Sequence, residues 1–140
     1  MGVNVEASST EPTVVSEKQA EQVPVRRARG ARMAVLIGPD EGAARFVMRR
    51  FVLAANGRIP THRHDTIEHE QVVLRGEMTL GLGDAVHTVR AGDAIFIPAG
   101  TAHWYENRGT EEVEFLCAVP LTVDYATEWL EEPPEGAFVE

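Results

Sequence analysis

Three histidines within eight residues constrain this chain more than any other feature. The stretch runs from His62 through His64 to His69, and His103 follows 34 positions later, so four of the five histidines fall in two short stretches. Imidazole is a common ligand of transition metals. In a β-strand, His62 and His64 point to the same side, where both can bind one ion. His69 lies an odd number of positions further on, so a loop or bulge over 65–67 has to reset the register before it can join them.

The length and charge of the chain limit the number of domains and the kinds of partner that it can have. A chain of 140 residues with a net charge of -9 is expected to form one domain without a broad surface for nucleic acid. Its single cysteine excludes an intrachain disulfide framework. We see no apolar run long enough for a membrane span and no secretory signal pattern. We therefore expect a cytoplasmic protein with neither a nucleic-acid nor a membrane partner.

Charge is distributed unevenly along the chain. Seven of the twelve arginines lie between residues 26 and 50, whereas residues 109–140 carry nine acids and no base. These segments can meet within the fold, meet across a dimer, or remain as two solvated faces. We expect a homodimer, because β-sheet edges need covering and the arginine-rich segment can cover one across a two-fold axis.

Short apolar stretches separated by turn residues predict an all-β fold. The predicted strands are 33–37, 43–55, 70–74, 77–82, 85–90, 94–97, 102–107 and 113–120. Strands spaced in this way are typical of an antiparallel sandwich or barrel. Asn56-Gly57 is interpreted as the turn that leads from the second strand into the histidine stretch.

The chain divides into three predicted segments. Residues 1–24 are polar and lack aromatic side chains, which predicts a flexible N-terminal tail with at most a weak helix around 16–22. The barrel is expected over 25–122. Residues 123–140 form an acidic C-terminal tail, with a possible short helix within 121–130 and a frayed end.

Two motifs in this sequence resemble those of the cupin family. Five residues match the second cupin motif, G(X)5PXG(X)2H(X)3N, at every fixed position: Gly92, Pro98, Gly100, His103 and Asn107. His62, His64 and Gly76 match the first motif, G(X)5HXH(X)3,4E(X)6G. The departures are Gly57, which is one residue too close to His62, and His69, which occupies the usual glutamate position. Over about 33–120 the chain is therefore similar to small single-domain cupins with four histidine ligands.

The resemblance implies a fold and a ligand set. It implies an antiparallel double-stranded β-helix, the jelly-roll barrel of cupins. One divalent transition metal per chain (Mn, Fe, Ni, Cu or Zn) would be bound by four histidines, namely His62, His64, His69 and His103. Glu68 and Glu70 are alternative ligands to His69. A one-residue slip in register would exchange the two faces and bring the glutamates inward.

Strand alternation and the resemblance also suggest neighbours of the metal. Gln71 shares the face of His69, and Tyr105 shares that of His103. The resemblance suggests that the face of the last strand with Phe115 and Cys117 lines the cavity, although Cys117 also fits a plain core position. Arg49 and Arg50 point to opposite faces, so one of them can enter the interior. We take Tyr105, Cys117 and Arg49 as catalytic candidates, and Gln71 and Phe115 as pocket residues.

Three functions remain open for such a site. Four neutral ligands leave the full 2+ charge on the metal, which favours small anionic or chelating organic substrates. The first interpretation is a dioxygenase-type oxidoreductase. The second is a metal-dependent module that binds or senses a small molecule. The third is a non-redox Lewis-acid isomerase or lyase, for which Tyr105 is the candidate base.

Overall fold

The computed structural model describes residues 11–122 and 124–140, and it consists mainly of β-strands. The strands are β1 (Val23–Pro24), β2 (Arg29–Ile37), β3 (Phe46–Arg63), β4 (His69–Arg75), β5 (Glu77–Leu82), β6 (Ala85–Arg90), β7 (Ala94–Ile97), β8 (His103–Glu106), β9 (Val113–Pro120) and β10 (Glu128–Trp129). Two short 3-10 helices, Glu17–Gln19 and Pro39–Glu41, complete the described elements. The all-β prediction is confirmed. No helix in the described part of the chain has the length and apolarity needed to cross a bilayer.

The strands form one antiparallel sheet that curls into a jelly-roll barrel. Its main path is β6-β5-β8-β3-β9-β4-β7; β2 and β10 also pair with β3, and β1 pairs with β2. The 18-residue strand β3 connects the two layers. Its first half pairs with β2 and β9, whereas its second half pairs with β8 and β10. The cupin-type fold expected from the motifs is confirmed.

A bulge inside β3 replaces the turn predicted at Asn56-Gly57. The strand continues from Phe46 to Arg63, and residues 54–57 lie opposite only Gly30 of β2. Asn56 adopts a positive φ of 67°, and a Cβ on Gly57 would lie 2.9 Å from the carbonyl oxygen of Gly30. The turn prediction is wrong because these residues bend the strand without ending it.

The inward side chains of β9 fill the centre of the barrel. Alternate residues of this strand are buried, and Phe115 is fully enclosed. The Phe115 ring stacks between Phe51 and Tyr105, with centroid distances of 5.0 and 5.1 Å. Each such aromatic pair contributes about 0.5–1.5 kcal/mol beyond the burial of its area. This three-ring stack is a rigid floor inside the barrel.

The C-terminal segment is extended and docked. Among the described residues of 121–130 there is no helix; β10 instead pairs Trp129 with His62 of β3. Further on, the Phe138 amide donates to the carbonyl of Ala28, so this part of the C-terminal tail is held against the barrel. The helix prediction is wrong because pairing with the barrel satisfies backbone groups that a helix would satisfy internally.

The N-terminal part lies mostly on the surface. Residues 1–10 of the predicted tail fall outside the described residues, and residues 11–22 are largely exposed, with one 3-10 turn where a weak helix was expected. The sheet begins with β1, which pairs with β2. The domain boundaries at residues 24 and 122 stay predictions.

The oppositely charged segments meet within one chain. Arg32 pairs with Glu112 at 3.4 Å, and Arg50 pairs with Glu114 at 3.1 Å. The Arg32–Glu112 pair is exposed, and such pairs contribute about 0–1 kcal/mol, whereas the side chains of Arg50 and Glu114 are only 12% and 16% exposed. Arg50, paired with Glu114, points outward, and its neighbour Arg49 points inward, as strand alternation predicts.

Candidate metal centre

Three histidine rings converge inside the barrel. One nitrogen of each of His62, His64 and His103 lies within 4.8 Å of the others, so the three side chains could hold a metal ion. His62 faces His103 directly across the ladder between β3 and β8, with ring centroids 4.3 Å apart. His64 follows two residues after His62 on the same side of the chain.

His69 stands beside this cluster. Its ring centroid lies 5.3 Å from that of His64 and 5.1 Å from that of His103. A turn at residues 65–66 resets the register between β3 and β4, as the odd spacing predicted. Glu68 and Glu70 are exposed, and a hydrogen bond with Glu68 raises the pKa of Glu70. The acids therefore lie outside the cluster, and the fourth-ligand role of His69 stays a prediction.

The Nδ1 atom of each ring has a polar neighbour. His62 donates to the carbonyl of Pro60 at 2.7 Å, and His103 donates to that of Thr101 at 2.9 Å. Nδ1 of His64 lies 3.2 Å from the carbonyl oxygen of Ala126, and Nδ1 of His69 lies 3.4 Å from Cys117 Sγ. A hydrogen bond of this kind fixes the orientation of a metal-binding imidazole and leaves the Nε2 lone pair free.

The Nε2 atoms fit a metal ion. Those of His69 and His103 are buried and have no hydrogen-bond partner among the described residues. A buried polar atom without a partner costs about 1–3 kcal/mol, so such atoms are rare unless something binds them. Nitrogen donors without a carboxylate suit Zn, Cu, Fe or Ni. The donor set is thus chemically suited to one transition metal.

The pKa values of the cluster favour metal binding at neutral pH. Burial, together with the charge of His103, lowers the pKa of His62 to about 3 and that of His69 to about 2. Burial lowers the pKa of His103 to about 4 and also lowers the pKa of His64. All four rings are therefore neutral at pH 7, which is the form that binds metals.

A cavity of about 220 Å³ opens next to the histidines. Its wall includes Tyr105, Gln71 and Phe51, and the Gln71 amide donates to the Tyr105 hydroxyl at 2.7 Å. Burial raises the pKa of the Tyr105 phenol, so it remains protonated. With its oxygen accepting from Gln71, the phenol keeps its own hydrogen free to donate to a ligand.

Two predicted pocket residues lie one layer behind the cavity wall. Phe115 is covered by the stacked ring of Phe51. Cys117 is free and buried; its sulfur accepts from Arg49 Nη2 and from the Gln71 amide, both at 3.2 Å. Phe51 thus separates Phe115 from the cavity, and Arg49 and Gln71 contact Cys117 from the cavity side, so the roles of both residues at the site stay predictions. Arg49 itself does line the cavity.

Sequence reasoning missed the contribution of the C-terminal segment. Trp129 and Thr127 line the mouth of the cavity, and Trp129 lies 5.0 Å from the His62 ring. The carbonyl of Ala126 is the neighbour of His64 Nδ1. Trp129, one of two tryptophans, lies in the stretch 121–130 for which only a possible short helix was predicted. No local pattern indicated that the segment would return to β3.

Comparison with known proteins agrees with this geometry. The sequence matches the Cupin domain family over residues 49–119. It is 30% identical over 108 residues to Protein SchB of Streptomyces halstedii, covering 73% of this chain and 78% of that protein. It is 46% identical over 59 residues to acireductone dioxygenase 1 of Nocardia farcinica, which covers 38% of this chain and only 30% of that enzyme.

Among solved structures, the polyketide cyclase RemF from Streptomyces resistomycificus superposes with a TM-score of 0.79. The two chains are 30% identical, and the alignment covers 90% of this chain and 89% of RemF. Family match, motif residues and barrel topology agree over the same part of the chain. The chain is a single-domain member of the cupin family.

Proposed function

We propose that this cupin is a metal-dependent cyclase that acts on a short poly-β-ketone. The observation that carries the proposal is the set of neutral imidazoles beside a cavity floored by stacked aromatic rings. Adjacent ketone oxygens chelate a divalent metal, and the flat ring that cyclisation produces matches the aromatic floor. The likeness to RemF, which spans nearly the whole chain, supports the same chemistry.

The proposed cofactor is one divalent transition metal bound by His62, His64, His69 and His103. When bound, it would polarise the ketone oxygens and stabilise the negative charge of an enolate. Protons between two ketones are already acidic, so this site does not depend on a carboxylate base. Among the described residues that line the cavity there is no Asp or Glu.

Tyr105 has a different role from the one expected from the sequence. Because burial raises the pKa of its phenol, Tyr105 is a hydrogen-bond donor at neutral pH and is a poor base. Gln71 holds the phenol oxygen from one side, so the hydroxyl hydrogen is free to meet a carbonyl oxygen of the substrate. Tyr105 would thus orient the acceptor ketone of the ring-closing step.

Dioxygenase chemistry is the second candidate. The sequence interpretation ranked it first, and the 46% identity to part of acireductone dioxygenase 1 favours it. That likeness covers less than a third of the enzyme, whereas the likeness to RemF covers most of both chains. We therefore rank the non-redox reaction above it. A site that only binds or senses a small molecule remains a third outcome.

Incubation with a synthetic poly-β-ketone under anaerobic conditions separates these functions. The zinc-loaded protein should release a cyclised product that has lost one water per condensation, detected by mass spectrometry, because zinc needs no oxygen. His103→Ala is the inactive control, and His87→Ala, which is exposed, is the matched control. Oxygen uptake by iron-loaded protein without cyclisation would favour the dioxygenase, and binding without turnover would favour the sensing module.

We also propose a homodimer in the cytoplasm. The register brings Met48, Ala118, Glu70 and Phe96 into one row on the outer face of the sheet, where Met48 is 41% and Phe96 is 57% exposed. A second copy of the chain would cover this apolar row. A free, buried cysteine also suits a reducing compartment. Light scattering of wild type and Phe96→Glu tests the dimer, since the variant should be monomeric.

A further inference from the structure

The cavity carries positive charge inside an acidic protein. Its lining contains two arginines, Arg49 and Arg26, and no acidic side chain among the described residues. The whole chain has a net charge of -9. A concave site with one sign of charge raises the local concentration of ligands with the opposite sign. The cavity is therefore set apart electrostatically from the rest of the surface.

Arg49 is half-buried and lacks a countercharge in the cavity. Its Nη2 donates to Cys117 Sγ at 3.2 Å, its guanidinium lies 5.1 Å from the Phe51 ring centroid, and its buried Nε has no partner among the described residues. Sulfur is a weak acceptor and does not replace a carboxylate. A partly desolvated cation with an unused donor is costly unless an anion binds it.

Arg58, on the same strand, is an arginine whose hydrogen bonds are all made within the protein, and it serves as a comparison for Arg49. It donates to Glu106 at 2.8 Å and to both carboxylate oxygens of Glu131, and it lies over the Trp104 ring. Every part of that guanidinium is occupied by protein groups. Within residues 11–122 and 124–140, no carboxylate pairs with Arg49, so its remaining donors are available to something that enters the cavity.

We propose that Arg49 binds a carboxylate of the substrate, which makes the substrate a free poly-β-keto acid. A thioester or a neutral ketone offers no charge to this guanidinium. The inference rests on the proposed function in taking this cavity as the substrate site. Arg49 fixes the acid end, while the neighbouring ketone oxygens face the histidines, and Arg26 at the exposed mouth attracts the anion without fixing it.

Arg49 is close enough to the histidines for one small ligand to reach both. Arg49 lines the same cavity as His62, His64 and His69, and its Nη2 and the Nδ1 of His69 contact the same sulfur, Cys117 Sγ, at 3.2 and 3.4 Å. A planar carboxylate accepts two parallel hydrogen bonds from guanidinium, which sets the direction of the bound chain. Binding at Arg49 would thus decide which ketone reaches the metal.

Salicylate and salicylamide test this inference, because they share shape and differ in charge. Their affinities are measured by calorimetry with wild type, Arg49→Gln, Arg26→Gln and Arg45→Gln. Each protein is used with zinc bound and, separately, metal-free, so that a contribution from the metal is recognised. Arg45 is an exposed arginine outside the cavity and serves as the matched control.

Wild type should prefer salicylate over salicylamide, and Arg49→Gln should reduce that preference at least about tenfold in both metal states. Arg26→Gln and Arg45→Gln should change it less than about threefold. An unchanged preference in Arg49→Gln would overturn the proposal. If Arg49→Gln does not fold, Arg49→Lys is measured instead. Because lysine keeps the positive charge, this variant should keep most of the preference for salicylate. Complete loss of the preference in Arg49→Lys would contradict recognition by charge. A preserved preference without any cyclised product would overturn the cyclase alone.

Discussion

The four histidines are held in two different ways. Nδ1 of His62 and of His103 each donates to a carbonyl two residues earlier in its own strand or loop, so local structure alone orients these rings. The Nδ1 neighbours of His64 and His69 come from 62 and 48 positions away in sequence, in the C-terminal segment and in β9. One pair is therefore fixed by its own motif, and the other depends on the completed fold.

This difference predicts how the site fails. Damage to distant parts of the chain should disturb the orientation of His64 and His69, but leave His62 and His103 in place. Loss of His62 or His103 removes a ring that is already aligned before metal binds. We expect the largest effect from acid, which protonates both pairs of histidines, and the smallest effects from variants that remove a single supporting contact.

Acid should produce the largest effect. The pKa values of His62, His69 and His103 are lowered to about 3, about 2 and about 4 in the fold, so on acidification the unfolded chain takes up protons first, near its ordinary value of 6.5. The stability of the metal-free protein is complete above about pH 6.5 and falls as pH decreases toward about 4. Each ring contributes at most about 1.4 kcal/mol per pH unit.

Urea unfolding of metal-free protein between about pH 7 and 4.5 measures this loss, which should reach several kcal/mol. Zinc-loaded protein should keep its stability to lower pH, because the metal competes with protons. A flat profile for the metal-free protein would mean that the rings are not buried in neutral form.

Removal of one locally held ring should have the next largest effect. His103→Ala should lower zinc affinity by more than about a hundredfold, beyond what loss of a supporting contact costs, because it deletes a preoriented donor. Competition with a fluorescent chelator measures the affinity. His87→Ala, an exposed histidine on β6, should bind zinc as wild type does, and equal losses in the two variants would exclude this site.

Removal of a distant support should have a smaller effect. Cys117→Ala takes away the neighbour of His69 Nδ1 and should weaken zinc binding about tenfold, while His62 and His103 stay aligned. Cys117→Ser keeps an acceptor near the ring and is the control, with less than about threefold loss. If both variants bind zinc as tightly as wild type does, His69 is not a ligand that depends on this contact.

The smallest expected effect concerns the anchor of the C-terminal segment. Although burial alone would raise its pKa, hydrogen bonds from Arg58 and Thr61 lower the pKa of Glu131 to about 2, from an ordinary value of 4.5. Glu131→Gln should reduce the free energy of unfolding by about 1–2 kcal/mol at pH 7. Zinc affinity should fall only about twofold, through His64.

The contribution of Glu131 has a definite pH dependence. Because its pKa is lowered in the fold, its stabilisation is complete above about pH 4.5 and is lost as pH falls through about 2. Melting temperatures of wild type and Glu131→Gln should therefore differ at pH 7 and converge near pH 2. A constant difference would indicate that packing, rather than the charge, holds the segment.

The sequence predicted the local part of this molecule well. Strand alternation put His62 and His64 on one side and gave Gln71 and Tyr105 the faces of His69 and His103, and the resemblance to the cupin motifs added His103 to the set. Alternation also required Arg49 and Arg50 to face opposite sides, without deciding which one points inward. Asn107, a fixed residue of the second motif, accepts from the Gly109 amide at 3.0 Å in the turn that follows it. These features depend on a few neighbouring residues, so the alternation of side chains along a strand is enough to predict them.

The features that were missed depend on distant contacts. A short helix was considered possible within 121–130, which includes Trp129, but pairing of Trp129 with His62 makes the segment extended. For Cys117 the sequence left a cavity position and a plain core position open, because parity fixes only its side of the strand and the neighbouring side chains determine whether it is covered. Asn56-Gly57 has the composition of a turn, and only the surrounding sheet makes it a bulge.

The bulge over 54–57 has a consequence for altering the proposed substrate site. A single strand, β3, carries Arg49 before the bend and both His62 and His64 after it. The number of residues in 54–57 therefore determines which side of the sheet the histidines face. It also sets the distance along the strand between Arg49 and the histidines. Deleting one residue would turn the two rings to the outside of the barrel, whereas a change of two would preserve their side and alter the span. If Arg49 binds the substrate carboxylate as proposed, variants that accept keto acids of a different length should add or remove two residues in this stretch.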